Sequence, residues 1–269
     1  MPRPDADLLI VGGDQMWNPR WCYAHKELLF LQFSGAKIIK SSYAVSLGGE
    51  EIPPEQQEFW RHALSDFVKI GVRERKSTET LNAILDSPRA VTVPDPVFLL
   101  PVARYRELEQ PFSYSEPYLF EYALDDELSA SREHILRHLK LSHTWSCWTR
   151  TDHWFWKHLP VFHRKSVGNW LYALRNSDFV LTNSFHCVVF AILHHKPFWV
   201  QLKTGKYARM NCRVEELLKY LKLEQCMGDS PEECLNSGSI DWDAVDEKVA
   251  RYRVAGDKFL HSLLEMRIE

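Results

Sequence analysis

The feature of this sequence that most constrains its fold is a repeated alternation of short apolar runs with segments of helical periodicity. Runs such as residues 7–11 and 67–72 have the length and composition of strands that are buried on both faces of a sheet. The segment that begins at Pro53 and Pro54 and continues to about Asp66 places apolar side chains on one side, as an amphipathic helix does. This alternation predicts an α/β fold whose parallel sheets are covered by helices.

The alternation occurs twice, and a polar, proline-spaced linker at residues 101–117 separates the two series. We therefore predict two Rossmann-like domains, residues 1–110 and 111–269, facing one another across a cleft. The last helix is a candidate to cross back to the first domain. The predicted strands are residues 7–11, 37–44, 67–72, 90–93, 118–123, 144–148, 178–182 and 197–201. The predicted helices are residues 53–66, 77–85 with Ser77 as N-cap, 127–140, 170–175, 185–195, 213–223 and 243–264.

Composition and charge exclude several classes of protein. With 45% hydrophobic residues, the chain can bury a sizeable core. Its formal net charge of -3 gives no electrostatic reason to expect a nucleic acid partner. The start of the sequence lacks the apolar stretch of a signal peptide, and no apolar run is long enough to span a bilayer. We expect a cytoplasmic protein without an integral membrane segment, and peripheral contact with the inner face of the membrane stays open.

The cysteine and histidine content gives no sign of a structural metal or a disulfide framework. The six cysteines form no C-x-x-C pair, and a chain of 269 residues does not depend on disulfides for stability. We expect free thiols, with a disulfide in a secreted enzyme as the alternative. No convincing ligand set is present, so no metal is predicted.

An anion site is predicted where the strand at residues 178–182 runs into the next helix. The first free N–H groups of a helix and its positive dipole end attract anions. Ser184 and His186 lie in the first turn, where they add a hydroxyl and a titratable imidazole. The alternative is that Thr182, Asn183 and Ser184 only cap the helix while His186 packs against its neighbours.

Polar side chains also follow two predicted strands of the first domain. Arg73 comes directly after the strand at residues 67–72, where a guanidinium can bind phosphate or carboxylate. An ordinary salt bridge between Arg73 and Glu74 is the alternative. Asp14 and Gln15 follow a glycine pair after the first strand, and Asp14 is a candidate base or else a residue that caps the loop.

These segments together resemble the polysaccharide pyruvyl transferase family. The matching family patterns are G-x-D-Q-x-W-N at residues 12–18, S-Y-A-x-S-x-G at 42–48, V-R-E-x-x-S at 72–77, D-P-V-x-L at 95–99, T-[DN]-S-F-H-G at 182–187, K-P-F at 196–198 and R-x-x-x-L-L from Arg213. They occur in the family's order from residue 7 to about residue 225. Cys187 replaces the glycine that follows the family's histidine. A first strand and an asparagine-tyrosine-glycine loop ahead of the D-Q-x-W segment have no counterpart, so we expect either a first domain shortened at its N-terminus by one β-α unit or a truncated product.

The resemblance implies a GT-B-like fold and a reaction. The donor would be phosphoenolpyruvate, bound by the second domain without a further cofactor. The acceptor, on the side of the first domain, would be a sugar of a cell-surface or exopolysaccharide precursor that receives the pyruvyl group as a ketal; whether it is lipid-linked stays open. The resemblance implies that Arg73 and His186 matter most, and with Asp14 as the candidate base the predicted catalytic residues are His186, Asp14 and Arg73. The implied substrate-binding residues are Arg73, Gln15, Ser46, Asn183, Ser184, Phe185, His186 and Arg213.

Two other functions stay open at this point. One is a GT-B-like glycosyltransferase that uses a nucleotide sugar, and the other is a non-catalytic, sugar-binding relative. The tryptophans between residues 145 and 170 have two possible roles. We favour packing in the core, and the alternative is that their rings stack on sugars.

Overall fold

The chain forms two α/β units, each with its own parallel sheet. In the computed structural model the described residues are 5–34, 38–113, 116–124, 128–148 and 166–266. Unit 1 consists of the described parts of Met1–Leu99, Arg209–Glu216 and Glu247–Glu269. Unit 2 holds those of Leu100–Ala208 and Leu217–Asp246. The last helix therefore contributes residues to both units.

Unit 1 is built on a sheet of four parallel strands in sequential order, β1-β2-β3-β4. The strands are β1 Leu8–Gly12, β2 Ile39–Val45, β3 Phe67–Val72 and β4 Ala90–Thr92. The helices between them are α1 Lys26–Leu29, α2 Pro54–Ala63 and α3 Arg75–Leu85. Trp17, Trp60, Phe67 and Leu81 are fully buried in the core that these elements share. Burial of side chains this large is the main contribution to the stability of the unit.

Unit 2 is built on a parallel sheet with the order β6-β5-β7-β8-β9. Its strands are β5 Tyr118–Ala123, β6 His143–Trp148, β7 Phe179–Thr182, β8 Phe198–Gln201 and β9 Met227–Gly228. The remaining α-helices of the described residues are α4 Val102–Arg106, α5 Ser129–Leu139, α6 Val167–Asn176, α7 Phe185–Leu193, α8 Cys212–Leu221, α9 Glu232–Asn236 and α10 Trp242–Leu264. Short 3₁₀ helices are Cys22–His25, Pro96–Phe98, Gly205–Asn211 and Glu224–Cys226.

The predicted strands and helices are confirmed, with one correction at the start of α3. Ser77 is not the N-cap of α3, because the helix begins at Arg75 and Glu74 occupies the N-cap position. The predicted linker at residues 101–117 contains the short helix α4, which follows Pro101. Within the described residues, no helix is both long and apolar enough to cross a membrane. The six cysteines are free.

The tryptophans of residues 145–170 that the structure describes pack inside unit 2. Trp145 is buried and stacks on Phe120 with ring centroids 5.2 Å apart. Trp170 meets Phe120 and Phe190 edge to face. Core packing is therefore confirmed for these two residues, while Trp154 and Trp156 lie outside the described residues and the side chain of Trp148 is not described.

Candidate active site

Polar side chains follow each strand of the first sheet at the same edge. Asp14, Ser46, Arg73 and Asp95 come shortly after β1, β2, β3 and β4 respectively. Because the carboxyl ends of parallel strands share one edge, the topology brings these residues together. Ligands of open α/β sheets bind at that edge.

Arg73 is the centre of a buried ionic network in unit 1. Its side chain is only 2% exposed, and each of its three nitrogens donates to a carboxylate. The bonds are Nε to Glu74 Oε1 at 3.1 Å, Nη1 to Asp95 Oδ2 at 2.7 Å and Nη2 to Asp14 Oδ1 at 3.0 Å. Burial opposes its charge, but Glu74, Asp95 and Asp14 outweigh burial and raise the pKa of Arg73 above its ordinary value.

Asp14 is the exposed member of this network. Its side chain is 58% exposed, and its Oδ1 accepts from both Arg73 Nη2 and Arg213 Nη1, at 3.0 and 3.1 Å. Arg213 is itself buried, and burial together with the nearby Arg73 lowers the pKa of its guanidinium. Two guanidinium groups on one oxygen fix the position of the carboxylate and stabilise its negative charge.

The loop that carries Asp14 is anchored to the core and to the neighbouring strand. Trp17 is fully buried, and its Nε1 donates to the carbonyl of Leu29 at 2.9 Å. The amide of Ser46 donates to the carbonyl of Asp14 at 2.8 Å, and the amide of Gly13 donates to the carbonyl of Tyr43 at 3.1 Å. Asp14 keeps a positive φ of 32°, which aspartate tolerates better than most residues. The exposed carboxylate is therefore presented by a rigid loop.

Gln15 and Ser46 support this loop from within unit 1. Gln15 Oε1 accepts from Asn18 Nδ2 at 2.9 Å, and this pair lies directly over the backbone of Gly48. Ser46 is fully buried, and its hydroxyl accepts from the amide of Gly48 at 2.9 Å. The D-Q-x-W-N and S-x-G segments are thus packed against each other, with Gln15 and Asn18 in close contact with Gly48.

In unit 2 the order of the strands creates a switch point. The chain leaves β5 for β6 on one side and returns to β7 on the other, so the crevice beyond the carboxyl ends of β5 and β7 is the expected binding position. Asn183 joins these two ends. Its Oδ1 accepts from the backbone amide of Leu124 at 2.7 Å, and its Nδ2 donates to the carbonyl of the same residue at 3.0 Å. Thr182 adds a bond from its hydroxyl to the carbonyl of Tyr122 at 2.7 Å.

Helix α7 begins at this switch point, as the sequence predicts. Ser184 is its N-cap and accepts from the amide of Cys187 over a long 3.5 Å. Phe185 is buried, and His186 is half-buried with its ring edge-to-face to that of Phe185. Cys187 is fully buried, and burial raises the pKa of its thiol, so this residue belongs to the core.

Comparison of the sequence with profiles of protein families identifies the family of this chain. A profile described as polysaccharide pyruvyl transferase matches residues 2–200 of the 269. The chain belongs to the polysaccharide pyruvyl transferase family. Its Asp14 loop, its Arg73 network and the start of α7 all lie within the matched residues of this transferase family.

Solved structures similar to this family member identify the fold. A UDP-GlcNAc 2-epimerase from Neisseria meningitidis bound to UDP-GlcNAc superimposes with a TM-score of 0.54 at 13% identity, over 97% of this chain and 76% of the epimerase. A putative UDP-N-acetylglucosamine 2-epimerase from Listeria monocytogenes gives a TM-score of 0.50 at 12% identity, over 96% and 74%. These GT-B-like structures confirm the predicted α/β class with two Rossmann-like domains. No curated protein matched the sequence.

Several residues of the site escape sequence reasoning. Lys203 lies two residues beyond β8, is buried, and donates from Nζ to the carbonyl of Leu124 at 3.0 Å. The position of Lys203 shortly after the predicted strand at residues 197–201 is the sequence signal that indicates it as a site residue. Asp95 also binds Arg73 directly, and its spacing in the sequence does not encode this contact, whereas the salt bridge of Arg73 with Glu74 is the alternative that the sequence offers.

The described residues offer two further facts about binding. No group of three or more His, Cys, Asp or Glu side chains among them is placed to hold a metal ion. A cavity of about 570 Å³ in unit 2 is lined by residues such as Pro117, Asp178 and Pro197, which directly precede β5, β7 and β8. It therefore lies at the edge of the sheet opposite the start of α7.

Proposed function

We propose that this chain transfers the pyruvyl group of phosphoenolpyruvate to a saccharide and leaves it there as a ketal. Membership of the polysaccharide pyruvyl transferase family supports the reaction class. The observation that carries the proposal is the exposed Asp14 carboxylate, fixed by the buried Arg73 and Arg213 at the carboxyl edge of the first sheet. We place the reaction in the cytoplasm, on a sugar of a cell-surface or exopolysaccharide precursor, with no cofactor beyond the donor.

The chemistry needs one acid, one base and a site for phosphate. Protonation of the methylene carbon of phosphoenolpyruvate makes C2 an electrophile that resembles an oxocarbenium ion. One sugar hydroxyl adds to C2 and loses its proton, and a second hydroxyl then displaces inorganic phosphate and loses its proton in turn. Two C–O bonds form and one C–O bond to phosphate breaks, so a cyclic ketal and phosphate are the products. Positioned acid and base groups accelerate such steps by roughly 10²–10⁴-fold.

We assign the donor to the start of α7 in unit 2. The N-terminus of a nine-residue helix favours an anion, and phosphoenolpyruvate carries both a phosphate and a carboxylate. Ser184 contributes a hydroxyl there, and His186 is half-buried in the first turn. In this proposal His186, in the first turn of α7, donates the proton to the methylene carbon or to the leaving phosphate.

We assign the acceptor to Asp14 in unit 1. Its carboxylate would accept the proton of the attacking hydroxyl or hold that hydroxyl in place. The sequence predicts a direct contact of Arg73 with the donor anion. The three carboxylate partners of Arg73 favour a different role, in which Arg73 and Arg213 hold Asp14 in position.

The donor assignment is tested by ligand-induced stabilisation. Phosphoenolpyruvate should raise the melting temperature of the wild type, and His186→Gln should reduce that rise. His138→Gln, an exposed histidine at the end of α5, is the matched control and should respond like the wild type. Stabilisation by UDP-GlcNAc in the absence of any effect of phosphoenolpyruvate would contradict the proposal and favour a nucleotide-sugar enzyme.

A further inference from the structure

Exposed apolar side chains concentrate beside the loop that carries Asp14. Among the described residues, thirteen large apolar side chains are substantially exposed, and four of them lie within residues 16–28. They are Met16, Trp21, Tyr23 and Leu28. Exposed large apolar side chains concentrated in one short segment make that segment a candidate binding surface.

Trp21 is the member of this group that is tied to the loop of Asp14. Its indole Nε1 donates to the carbonyl of Gln15 at 3.2 Å, and its backbone amide donates to the carbonyl of Asn18 at 3.2 Å. Gln15 is the next residue after Asp14. The edge of the indole is therefore fixed to the loop that presents the carboxylate, while the side chain stays 44% exposed.

The surroundings of Trp21 are polar, which distinguishes this surface from an apolar protein interface. Arg20 Nε pairs with Glu50 Oε1 at 2.8 Å, and the side-chain amides of Gln15 and Asn18 form a hydrogen-bonded pair. An aromatic ring set among amides and charged groups suits a ligand with an apolar face and a polar rim. A hexopyranose has this character, because its axial C–H bonds form one face and its hydroxyls form the rim.

The pairing of charges also disfavours an anionic membrane as the occupant. A surface that binds anionic lipids carries an excess of basic side chains. Here Glu50 pairs with both Arg20 and Arg209, the latter at 3.3 Å, so the three groups together carry a single net positive charge rather than a basic cluster. The electron-rich face of an indole attracts the weakly positive C–H groups of a sugar without any net charge.

We propose that Trp21 is the stacking platform for the acceptor sugar, which it holds with its hydroxyls towards Asp14. This inference rests on the proposed function in its assignment of the acceptor to Asp14. Trp21 binds substrate in this account and takes no part in proton transfer. Its removal should therefore weaken acceptor binding and leave the use of the donor unchanged.

Steady-state kinetics of phosphate release test the platform. Trp21→Ala should raise the KM for the acceptor by about tenfold, which corresponds to about 1.4 kcal/mol, with the KM for phosphoenolpyruvate unchanged. Trp21→Phe keeps an aromatic face and should recover most of the affinity, which shows that any loss is not a folding defect. Tyr220→Ala removes an aromatic side chain that is 43% exposed on α8 and should behave like the wild type. An unchanged acceptor KM in Trp21→Ala would overturn the inference while the proposed function stands.

Binding measured without the donor separates failure of the platform from failure of the reaction. Saturation-transfer NMR with methyl glycosides of galactose, mannose and N-acetylglucosamine should show transfer to at least one sugar, lost in Trp21→Ala and retained in Trp21→Phe. This result together with no phosphate release would support the platform and contradict the transferase. No binding of any glycoside by the wild type would overturn the platform. So would a loss of sedimentation with vesicles of phosphatidylethanolamine and phosphatidylglycerol in Trp21→Ala while sugar binding is unchanged, because the surface would then be a membrane contact.

Discussion

Arg73 donates from Nη1 to Oδ2 of Asp95 at 2.7 Å, and the two side chains are only 2% and 1% exposed. This pair joins the ends of β3 and β4 at the base of the candidate site. A charge buried to this extent is tolerated only when its partners are in place. Asp14, which is exposed and accepts from Nη2 of the same guanidinium, is therefore held by a network whose other members are buried.

Replacement of Asp95 by asparagine should strongly destabilise the protein. The Asp95→Asn side chain keeps an oxygen for the amide of Val97 but leaves the buried Arg73 without one of its charged partners. We expect a loss of about 3 kcal/mol in the free energy of unfolding, measured by chemical denaturation. Asp66→Asn breaks the exposed pair with Lys40 and should cost less than about 1 kcal/mol. Equal losses in the two variants would contradict the interpretation.

Glu216 should contribute to stability as a cap for α3. Its Oε2 accepts from the amide of Arg75 at 2.6 Å, and its Oε1 accepts from that of Lys76 at 3.2 Å. Loss of such a cap in Glu216→Ala should reduce the free energy of unfolding by about 1 kcal/mol. Glu215→Ala changes the exposed neighbour and should cost less than about 0.5 kcal/mol, since surface substitutions rarely cost more. If Glu216→Ala is no worse than this control, the capping role is wrong.

Gly48 should resist substitution more strongly than a glycine in open space. A Cβ at Gly48 would lie 2.3 Å from Gln15 Oε1 and 2.4 Å from Asn18 Nδ2, at a φ of +68°. Gly238 has a φ of +81° with nothing within 4 Å, so Gly238→Ala measures the backbone cost alone, roughly 1–2 kcal/mol. Gly48→Ala should cost at least about 1 kcal/mol more in denaturation experiments, because it also displaces the hydrogen-bonded side chains of Gln15 and Asn18. A smaller difference would mean that the Gln15 side chain moves aside freely.

His194 should make the protein less stable in mild acid. Burial, with Arg106, Arg175 and Lys196 nearby, lowers the pKa of its imidazole from 6.5 to about 4, although Glu109 acts in the opposite direction. The folded state thus binds fewer protons than the unfolded state between these values. Its contribution to stability is fully present above pH 6.5 and is lost as the pH falls towards 4.

The pH dependence of denaturation measures this contribution. The free energy of unfolding should fall below pH 6.5 with a slope of up to about 1.4 kcal/mol per pH unit from this residue. His194→Asn should remove that slope, whereas His138→Gln, at an exposed position, should keep it. An identical pH dependence in wild type and His194→Asn would exclude His194 as the cause.

The strands and most helices could be predicted from the sequence because their signals are local. The run at residues 67–72 is apolar and is followed by Arg73, and the observed β3 is Phe67–Val72. The start of α3 could not be predicted in this way. Ser77 has the chemistry of an N-cap, but the helix begins at Arg75, where the distant Glu216 accepts from its first amides. Capping over such a distance leaves no trace in local spacing.

The candidate site likewise has features that follow from local sequence signals and features that depend on contacts between distant residues. The positions of Asp14 and Arg73 after strands follow from apolar runs and glycines, and the start of α7 follows from the strand at residues 178–182. The partners of Arg73 are a property of the folded sheet edge, which alone decides that Asp95 and Asp14 reach it. The predicted roles of these residues in catalysis stay predictions.

The most direct test of the central claim is the rate of phosphate release from phosphoenolpyruvate with Asp14→Asn. The assay uses the saccharide that gives the wild type its highest rate, with mass spectrometry to identify the pyruvylated product. Asp14→Asn should lower kcat/KM for the acceptor by at least about a hundredfold, and Asp66→Asn, another exposed aspartate of unit 1, should leave it unchanged. A wild-type rate in Asp14→Asn, or no phosphate release by the wild type with any saccharide, would contradict the account.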